Sequence, residues 1–174
     1  VNYDYQSKYL AEVSFRYDGS SKFAKGHRWG FFPSASVGYR ISEESFIKEF
    51  APLSFITNWK LRASYGAMGD DGSSSYQYLS GYDYPGASYV FGDVVYKGLG
   101  FRGLPNELIT WYKSKTLNVG TDLDLWNGML SAQVDFFWRY RDGLLGKRSG
   151  EVPGTIGAEL PEENLNQDLY KGFE

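Results

Sequence analysis

Hydrophobic and polar residues alternate with a period of two along several stretches of the chain, the pattern of β-strands whose two faces meet different surroundings. Residues 9–18 carry Tyr9, Ala11, Val13, Phe15 and Tyr17 on one face, and Leu10, Glu12, Ser14, Arg16 and Asp18 on the other. Residues 32–41 and 59–67 repeat the alternation. Each stretch has about the 9–11 residues of a tilted transmembrane strand. The pattern predicts an all-β, antiparallel fold.

Asn127-Gly128 is the clearest turn signal, because both residues tolerate the positive φ of a type I′ hairpin. A two-residue loop there fixes the register of the flanking strands. One face then pairs Leu125–Leu130, Leu123–Ala132, Thr121–Val134, Val119–Phe136 and Leu117–Trp138. The other face pairs Asp124–Ser131, Asp122–Gln133, Gly120–Asp135 and Thr116–Arg139. The first face is almost wholly apolar and the second is mostly charged or amide, so register and pattern agree.

Aromatic residues make up 18% of the chain, and many fall at or near the predicted strand ends, where membrane barrels place interfacial rings. These are Tyr9, Tyr17, Tyr39, Trp59, Trp126, Trp138 and Tyr140. No apolar stretch approaches the roughly 20 residues of a membrane helix, which excludes a helical membrane protein. The sequence therefore favours a transmembrane β-barrel, with a soluble β-sandwich as the alternative.

The predicted connections differ in length on the two sides of the sheet. Those at 6–8, 42–58 and 127–128 are short or moderate, and those at 19–31, 68–108 and about 142–170 are mostly long. Outer-membrane barrels combine short periplasmic turns with long extracellular loops. The Tyr, Gly and Ser content of 68–108 predicts extra hairpins in an external loop. Ser42 is predicted to cap a helical turn that begins the middle connection.

The faces also decide which side meets lipid, because an Arg or Lys facing the bilayer midplane costs about 2–4 kcal/mol. The polar faces, which carry Arg16, Arg40, Lys60, Arg62, Asp122, Asp124, Asp135, Arg139 and Arg141, are predicted to face the barrel interior. Aromatic residues assigned to the external loops are candidates to stack on sugar rings or peptide side chains. They are Trp29, Tyr76, Tyr78, Tyr82, Tyr84 and Tyr89. The alternative role for these residues is to pack one loop against another.

Other chemistry has weak support in the sequence. Residues 98–103 match a dinucleotide-binding glycine pattern, but Pro105 stands where that site needs a helix, so the glycines are interpreted as loop flexibility. His27 is the only histidine, cysteine is absent, and Asp70-Asp71-Gly72 lacks calcium-loop spacing. The adjacent carboxylate pairs 43–44 and 162–163 have no fixed separation across a cleft. We predict no catalytic residue, metal or cofactor. With a net charge of −3 and no basic cluster, we also predict no nucleic-acid partner.

Several blocks resemble SusC/RagA-type TonB-linked outer-membrane proteins, in family order across nearly the whole chain. The blocks are 15–23, 32–46, 61–66, 117–123, 134–137 and 164–174, with departures at Tyr112 and Tyr170. The resemblance implies a plugged barrel of about 22 strands, energised by the TonB complex and paired with a SusD-like surface lipoprotein. Its cargo would be oligosaccharide or peptide, and it would lie in lipid of the bacterial outer membrane.

On this resemblance, residues 1–174 form part of a TonB-dependent receptor barrel domain, without its plug. They supply about six to seven strands, fewer than the eight of the smallest barrels, and both ends look cut. The alternation of apolar and polar residues is also compatible with two other functions. One is a soluble β-sandwich module that binds carbohydrate through its loop aromatics. The other is a piece of a secreted glycosidase, for which no carboxylate pair is a candidate.

Overall fold

The computed structural model describes residues 1–49, 51–148, 150 and 153–174, and these form nine β-strands. They are β1 (Asn2–Tyr5), β2 (Tyr9–Gly19), β3 (Trp29–Arg40), β4 (Ile56–Asp70), β5 (Tyr82–Phe91), β6 (Val94–Phe101), β7 (Tyr112–Leu125), β8 (Leu130–Gly146) and β9 (Glu163–Phe173). Seven form one sheet in the order β1-β2-β3-β4-β7-β8-β9, with every neighbour antiparallel. β5 and β6 form a separate hairpin. The all-β prediction is confirmed, and so is the extra hairpin in the longest connection.

The two faces of the seven-stranded sheet divide as the alternation predicts. The apolar face is exposed, with Val119, Val134 and Phe136 at 42%, 38% and 49% of full exposure. In a β-sandwich these side chains would be buried against a second sheet. The described residues contain no such sheet, so the sandwich alternative is not supported. Lys115 and Lys171 are exceptions on this face, and long lysine stems reach polar surroundings from apolar ones. Lys113 and Asp142 also lie on it and pair with each other at the last position of the β7–β8 ladder.

Stacked aromatic pairs mark both ends of the apolar face on β2 and β3. Tyr9 stacks on Tyr39 with ring centroids 5.1 Å apart, and Tyr17 stacks on Trp29 at 5.0 Å. This is the double girdle expected of a membrane barrel. The prediction was wrong for Trp138 and Tyr140, which lie in the middle of β8 because that strand continues to Gly146.

The β7–β8 hairpin has the predicted register at every pair, from Leu125–Leu130 to Thr116–Arg139. Asn127 and Gly128 have φ of 53° and 85°, the positive values that the turn requires. Trp126 also has a positive φ of 51°, so the ladder ends one pair before the tight turn. Its N–H donates instead to Phe55 O at 2.8 Å, which fastens the turn to the segment before β4.

The polar face carries ion pairs between strands. Arg62 on β4 donates from Nε to Asp122 Oδ1 at 3.0 Å and from Nη2 to Asp135 Oδ2 at 2.7 Å, so it joins three strands that are neighbours in the sheet. Arg141 on β8 pairs with Asp168 on β9 through Nε and Oδ1 at 2.7 Å. The predicted grouping of charges on one face is therefore confirmed.

The connections have the predicted asymmetry, and several boundaries move. Turns at 6–8, 41–55 and 126–129 lie at what we call the short-turn end, and loops at 20–28, 71–111 and 147–162 at the long-loop end. β9 begins at Glu163, so the last predicted loop was too long. The middle connection contains the helix α1 (Ser45–Lys48), and the prediction for Ser42 was wrong. Glu44 is the N-cap residue, while Ser42 is buried in the preceding 3-10 turn.

No helix in the described ranges is long and apolar enough to cross a membrane.

Candidate functional site

A small apolar cluster holds the loops of the long-loop end together. Phe23 and Ile109 are fully buried, and the Trp111 ring makes edge-to-face contacts with Phe23 and Phe32 at 5.6 and 5.3 Å between centroids. Trp111 Nε1 donates to Arg28 O at 2.9 Å. Because Phe23 and Arg28 belong to the β2–β3 loop and Trp111 precedes β7, the cluster makes these two loops one packed unit.

Asp71 adds a polar connection between the same loops. Ser20 Oγ donates to Asp71 Oδ2 at 2.7 Å, and Lys22 Nζ donates to Asp71 O at 3.0 Å. The hydrogen bond from Ser20, helped by Lys22, holds the pKa of the Asp71 carboxyl below its ordinary value despite partial desolvation. Asp71 therefore ties the two loops together. Within its own turn, Gly72 N donates to Asp70 Oδ1 at 2.7 Å.

Asn164, near the start of β9, makes a third connection at the long-loop end. Thr110 N donates to Asn164 Oδ1 at 2.9 Å, and Asn164 Nδ2 donates to Thr110 O at 3.0 Å and to Gly143 O at 2.7 Å. The Asn164 side-chain amide thus pairs with the Thr110 backbone through both its oxygen and its nitrogen, as a β-strand partner would. These bonds tie the strands on both sides of the 147–162 loop to the end of the 71–111 loop.

A cavity of about 230 Å³, here called the loop pocket, is lined by residues 74–77, 79, 102–104, 147 and 159–162. Its polar lining comes mainly from Tyr76, Gln77, Arg102, Lys147, Glu159 and Glu162. Gln77 Nε2 donates to Glu162 Oε2 at 2.9 Å, which joins two walls of the pocket directly. Asn106, which is buried, donates from its backbone N to Gln77 O at 2.9 Å and from Nδ2 to Glu162 O at 2.7 Å.

The predicted site tyrosines occupy two places in the loops. Tyr76 lines the loop pocket and makes an edge contact with the half-buried Tyr78 at 6.3 Å between centroids. Tyr82 and Tyr84 lie instead at the start of β5, where both are well exposed. Tyr82 makes an edge contact with Phe101 across the hairpin at 6.0 Å. The structure therefore brings Tyr76 and Tyr78 together and places the other two on the hairpin.

Trp29 lies apart from these four. It was assigned to a loop, but it is the first residue of β3, and its ring stacks on Tyr17 at the long-loop end of the apolar face. The ring also covers Gly19, where a Cβ would lie 2.8 Å from Trp29 Cζ3. This is the position of an aromatic ring at the membrane interface. A contact between Trp29 and cargo stays a prediction from the sequence.

The remaining sequence candidates have structural places in the loops and strands. Gly98 and Gly100 lie within β6 rather than in a flexible loop, and a Cβ on Gly98 would be 2.3 Å from the Tyr89 ring. The adjacent carboxylates have separate partners, since Glu162 accepts from Gln77 and Glu163 accepts from Arg148 at 3.1 Å. No group of His, Asp or Glu in the described part of the chain is arranged to hold a metal ion.

Arg102, Lys147, Glu159 and Glu162 were not among the predicted site residues. They come from separate segments of the chain, up to 60 positions apart, and no periodicity or short motif connects them. The one local signal was the Tyr-rich stretch that contains Tyr76. The pocket forms because hydrogen bonds of Asn106 and Gln77 hold these segments together. These are tertiary contacts between residues far apart in the sequence.

Comparisons with known proteins agree with this geometry. The family model described as "TonB dependent receptor-like, beta-barrel" matches residues 1–174. TonB-dependent receptor P3 of Formosa agariphila is 34% identical over 174 residues, which cover 100% of this chain and 17% of that protein. TonB-dependent receptor SusC of Bacteroides thetaiotaomicron is 33% identical over 175 residues, covering 98% of this chain and 17% of that protein. The chain therefore spans only 17% of the length of either relative.

The solved structure of the RagAB peptide importer in its closed-closed state superimposes with a TM-score of 0.81 at 24% identity. The match covers 99% of this chain and 18% of that one, and it supports the fold.

Proposed function

The chain belongs to the TonB-dependent receptor-like β-barrel family of the bacterial outer membrane, and we propose that it supplies wall and loops to a nutrient transporter. The transporter would import oligosaccharides or peptides. One observation carries the proposal: a single sheet exposes an aromatic-edged apolar face on one side and gathers ion pairs on the other. Lipid outside and an aqueous lumen inside satisfy both faces at once.

In this proposal residues 1–174 are part of the barrel domain, and the plug and the other strands belong to the rest of the protein. A SusD-like surface lipoprotein closes the mouth of the barrel, and the TonB complex supplies energy through the plug. The likeness to a relative named SusC supports the lipoprotein partner. The chain would act as wall and loop scaffold, without catalysis.

Cargo would meet the loops at the long-loop end, which is extracellular in this arrangement. We propose Tyr76, Tyr78, Tyr82 and Tyr84 as contacts for cargo, because exposed tyrosine rings offer rigid apolar faces with a polar hydroxyl. The ties made by Asp71 and Asn164 support the proposal, since they hold the loops in one arrangement before cargo arrives.

A pair of arginine substitutions in the full-length transporter tests the wall assignment. Val134→Arg places a cation on the apolar face and should cost about 2–4 kcal/mol, which lowers the amount of folded barrel in outer membranes. Gln133→Arg, one residue away on the polar face and paired with Asp122, should assemble normally. Heat-modifiable gel migration measures folded barrel. Equal assembly of both variants would remove the basis for the lipid-facing assignment.

Transport itself is tested by uptake of labelled oligosaccharides and peptides into cells that express the wild-type transporter or the Val134→Arg variant. Uptake should require the folded barrel and should stop when TonB is deleted. Uptake that continues without TonB would contradict the proposed energy source.

A further inference from the structure

We propose that the loop pocket is a sugar-binding subsite in which the ring of Tyr76 stacks on one unit of a neutral oligosaccharide. The polar side chains around the ring would bond the hydroxyl groups of that unit. The inference rests on the proposed transport function and narrows it. It identifies Tyr76 as a residue that selects cargo, and it proposes that the loop pocket binds sugar rather than peptide.

Tyr76 is held in an unusual backbone conformation. Its φ is +60°, in the left-handed region that a bulky residue seldom occupies and that persists only when neighbouring contacts enforce it. The enforcing contacts are present, since Leu79 N donates to Tyr76 O at 3.0 Å and Gln77 is bonded to both Asn106 and Glu162. The ring remains 45% exposed beside the pocket. A fixed, exposed aromatic ring binds a flat partner with little loss of conformational entropy.

The pocket offers both donors and acceptors, as sugar hydroxyls require. Arg102 donates from Nε and Nη2 to Asp83 at 3.0 and 2.8 Å, which orients the guanidinium and uses two of its five N–H groups. Glu159 and Glu162 supply carboxylate acceptors in the same lining. Together with Lys147 these groups have two positive and two negative charges, so the lining has no net charge. Such a lining suits a neutral ligand.

The backbone of the pocket argues against a peptide. Peptides commonly bind by adding a strand to free backbone N–H and C=O groups. Here Gln77 O already accepts from Asn106 N, and Glu159 O accepts from Leu104 N at 3.3 Å. Contacts with a ligand are therefore left to the side chains, and side-chain donors and acceptors are sufficient to bind sugar hydroxyl groups. The volume of about 230 Å³ lies below the range of roughly 300–1,000 Å³ for drug-sized ligands, so the pocket holds one unit of a longer chain.

The test uses the full-length transporter in detergent micelles, probed with maltohexaose, xylohexaose, mannohexaose and an uncharged hexapeptide. Hydrogen exchange gives a local reading of residues 74–79 and 159–162, and calorimetry gives affinity. At least one hexasaccharide should slow exchange in both segments. Tyr76→Ala should remove that protection and weaken affinity about tenfold, which is about 1.4 kcal/mol. Tyr76→Phe, which keeps the ring, should retain both.

Tyr96→Ala is the matched control, since Tyr96 is an exposed tyrosine of the β5–β6 hairpin outside the pocket and is not among the predicted cargo contacts. It should bind sugar as the wild-type protein does, and unchanged gel migration of all variants excludes misfolding. The proposal is overturned if no hexasaccharide protects these segments, if Tyr76→Ala keeps the protection, or if only the hexapeptide protects them. Each of these results can occur while Val134→Arg still lowers the amount of folded barrel, so failure of the subsite is distinguishable from failure of the transporter assignment.

Discussion

The ring of Phe32 occupies the space that a side chain at position 69 would need, because a Cβ on Gly69 would lie 2.0 Å from Phe32 Cζ. The same ring crowds Gly30, where a Cβ would lie 2.4 Å from Cζ. Two glycines thus make room for the Phe32 ring, which joins the sheet to the loop cluster through Trp111. Anchoring of the loops depends on the absence of side chains as much as on their presence.

Gly69→Ala should therefore destabilise the folded barrel by about 1–3 kcal/mol, the usual range for overpacking. Gly66→Ala on the same strand is the control, since its Cβ would meet Ser34 Cβ at an ordinary 3.6 Å. Urea unfolding of the full-length protein in detergent, followed by gel migration, measures both. A shift of the same size for both variants would mean that the Phe32 contact is not the cause.

Arg62→Met should leave Asp122 and Asp135 facing each other without their shared cation. We expect a loss of about 1–2 kcal/mol, reduced from a fully buried pair because the Arg62 side chain is 30% exposed. Adding Asp135→Asn should restore part of the loss, because one carboxylate is then neutral.

The control for this ion pair is Arg16→Met. The Arg16 side chain is 78% exposed and pairs with Asp18 on its own strand, so its loss should be within about 0.5 kcal/mol. Urea midpoints of the three variants and the wild-type protein measure the differences. If Arg62→Met behaves like Arg16→Met, the polar face does not depend on this network.

Acid should loosen the β2–β3 loop through Asp71. The pKa of Asp71 is lowered in the folded protein, mainly by the hydrogen bond from Ser20, so its stabilisation is complete above the ordinary value of 3.8. As pH falls below that value and through the folded-state pKa, protonation weakens the bonds to Ser20 and Lys22. Hydrogen exchange of residues 20–28, corrected for intrinsic rates, should stay constant from neutral pH down to the ordinary value of 3.8 and rise as the pH falls further through the folded-state pKa.

Asp71→Asn should show faster exchange already near neutral pH and a smaller change on acidification. A loop that loosens equally in the variant and in the wild-type protein would assign the pH response to another group.

Trp29→Ala should lower barrel stability by about 1 kcal/mol, because it removes the stack on Tyr17 and uncovers Gly19. Trp29→Phe should recover most of that loss. Hexasaccharide affinity should stay unchanged in both variants if the ring serves the membrane interface. A tenfold loss of affinity without a loss of stability would instead make Trp29 the cargo contact that the sequence predicts.

Local signals in the sequence predicted the sheet well. The hairpin at Asn127-Gly128 depends on two residues that accept positive φ, and its register follows from counting outward along an alternating pattern. Both are properties of neighbouring residues. The apolar face was predictable for the same reason, since lipid imposes one simple rule on every second position.

Features that depend on distant residues were not predictable. β9 starts at Glu163 in a polar stretch, where pairing with β8 and the Asn164–Thr110 bonds outweigh weak strand propensity. Ser42 had the right residue type for a helix cap, but burial placed it in a 3-10 turn and left Glu44 as the N-cap. The loop pocket needs Gln77 and Glu162 to meet, and a sequence does not reveal such a meeting.

The strand order of the sheet determines how a substitution in one strand affects the stability of the others. Among the described residues, β1 bonds only to β2 and β9 only to β8, so each outer strand presents a row of unshared amide and carbonyl groups. In hydrocarbon each such group costs several kcal/mol until another strand takes it up. The seven-stranded sheet is therefore stable in a bilayer only as part of a closed barrel. A substitution that destabilises any of these seven strands therefore lowers the stability of the whole barrel, and not only of the strand that carries it.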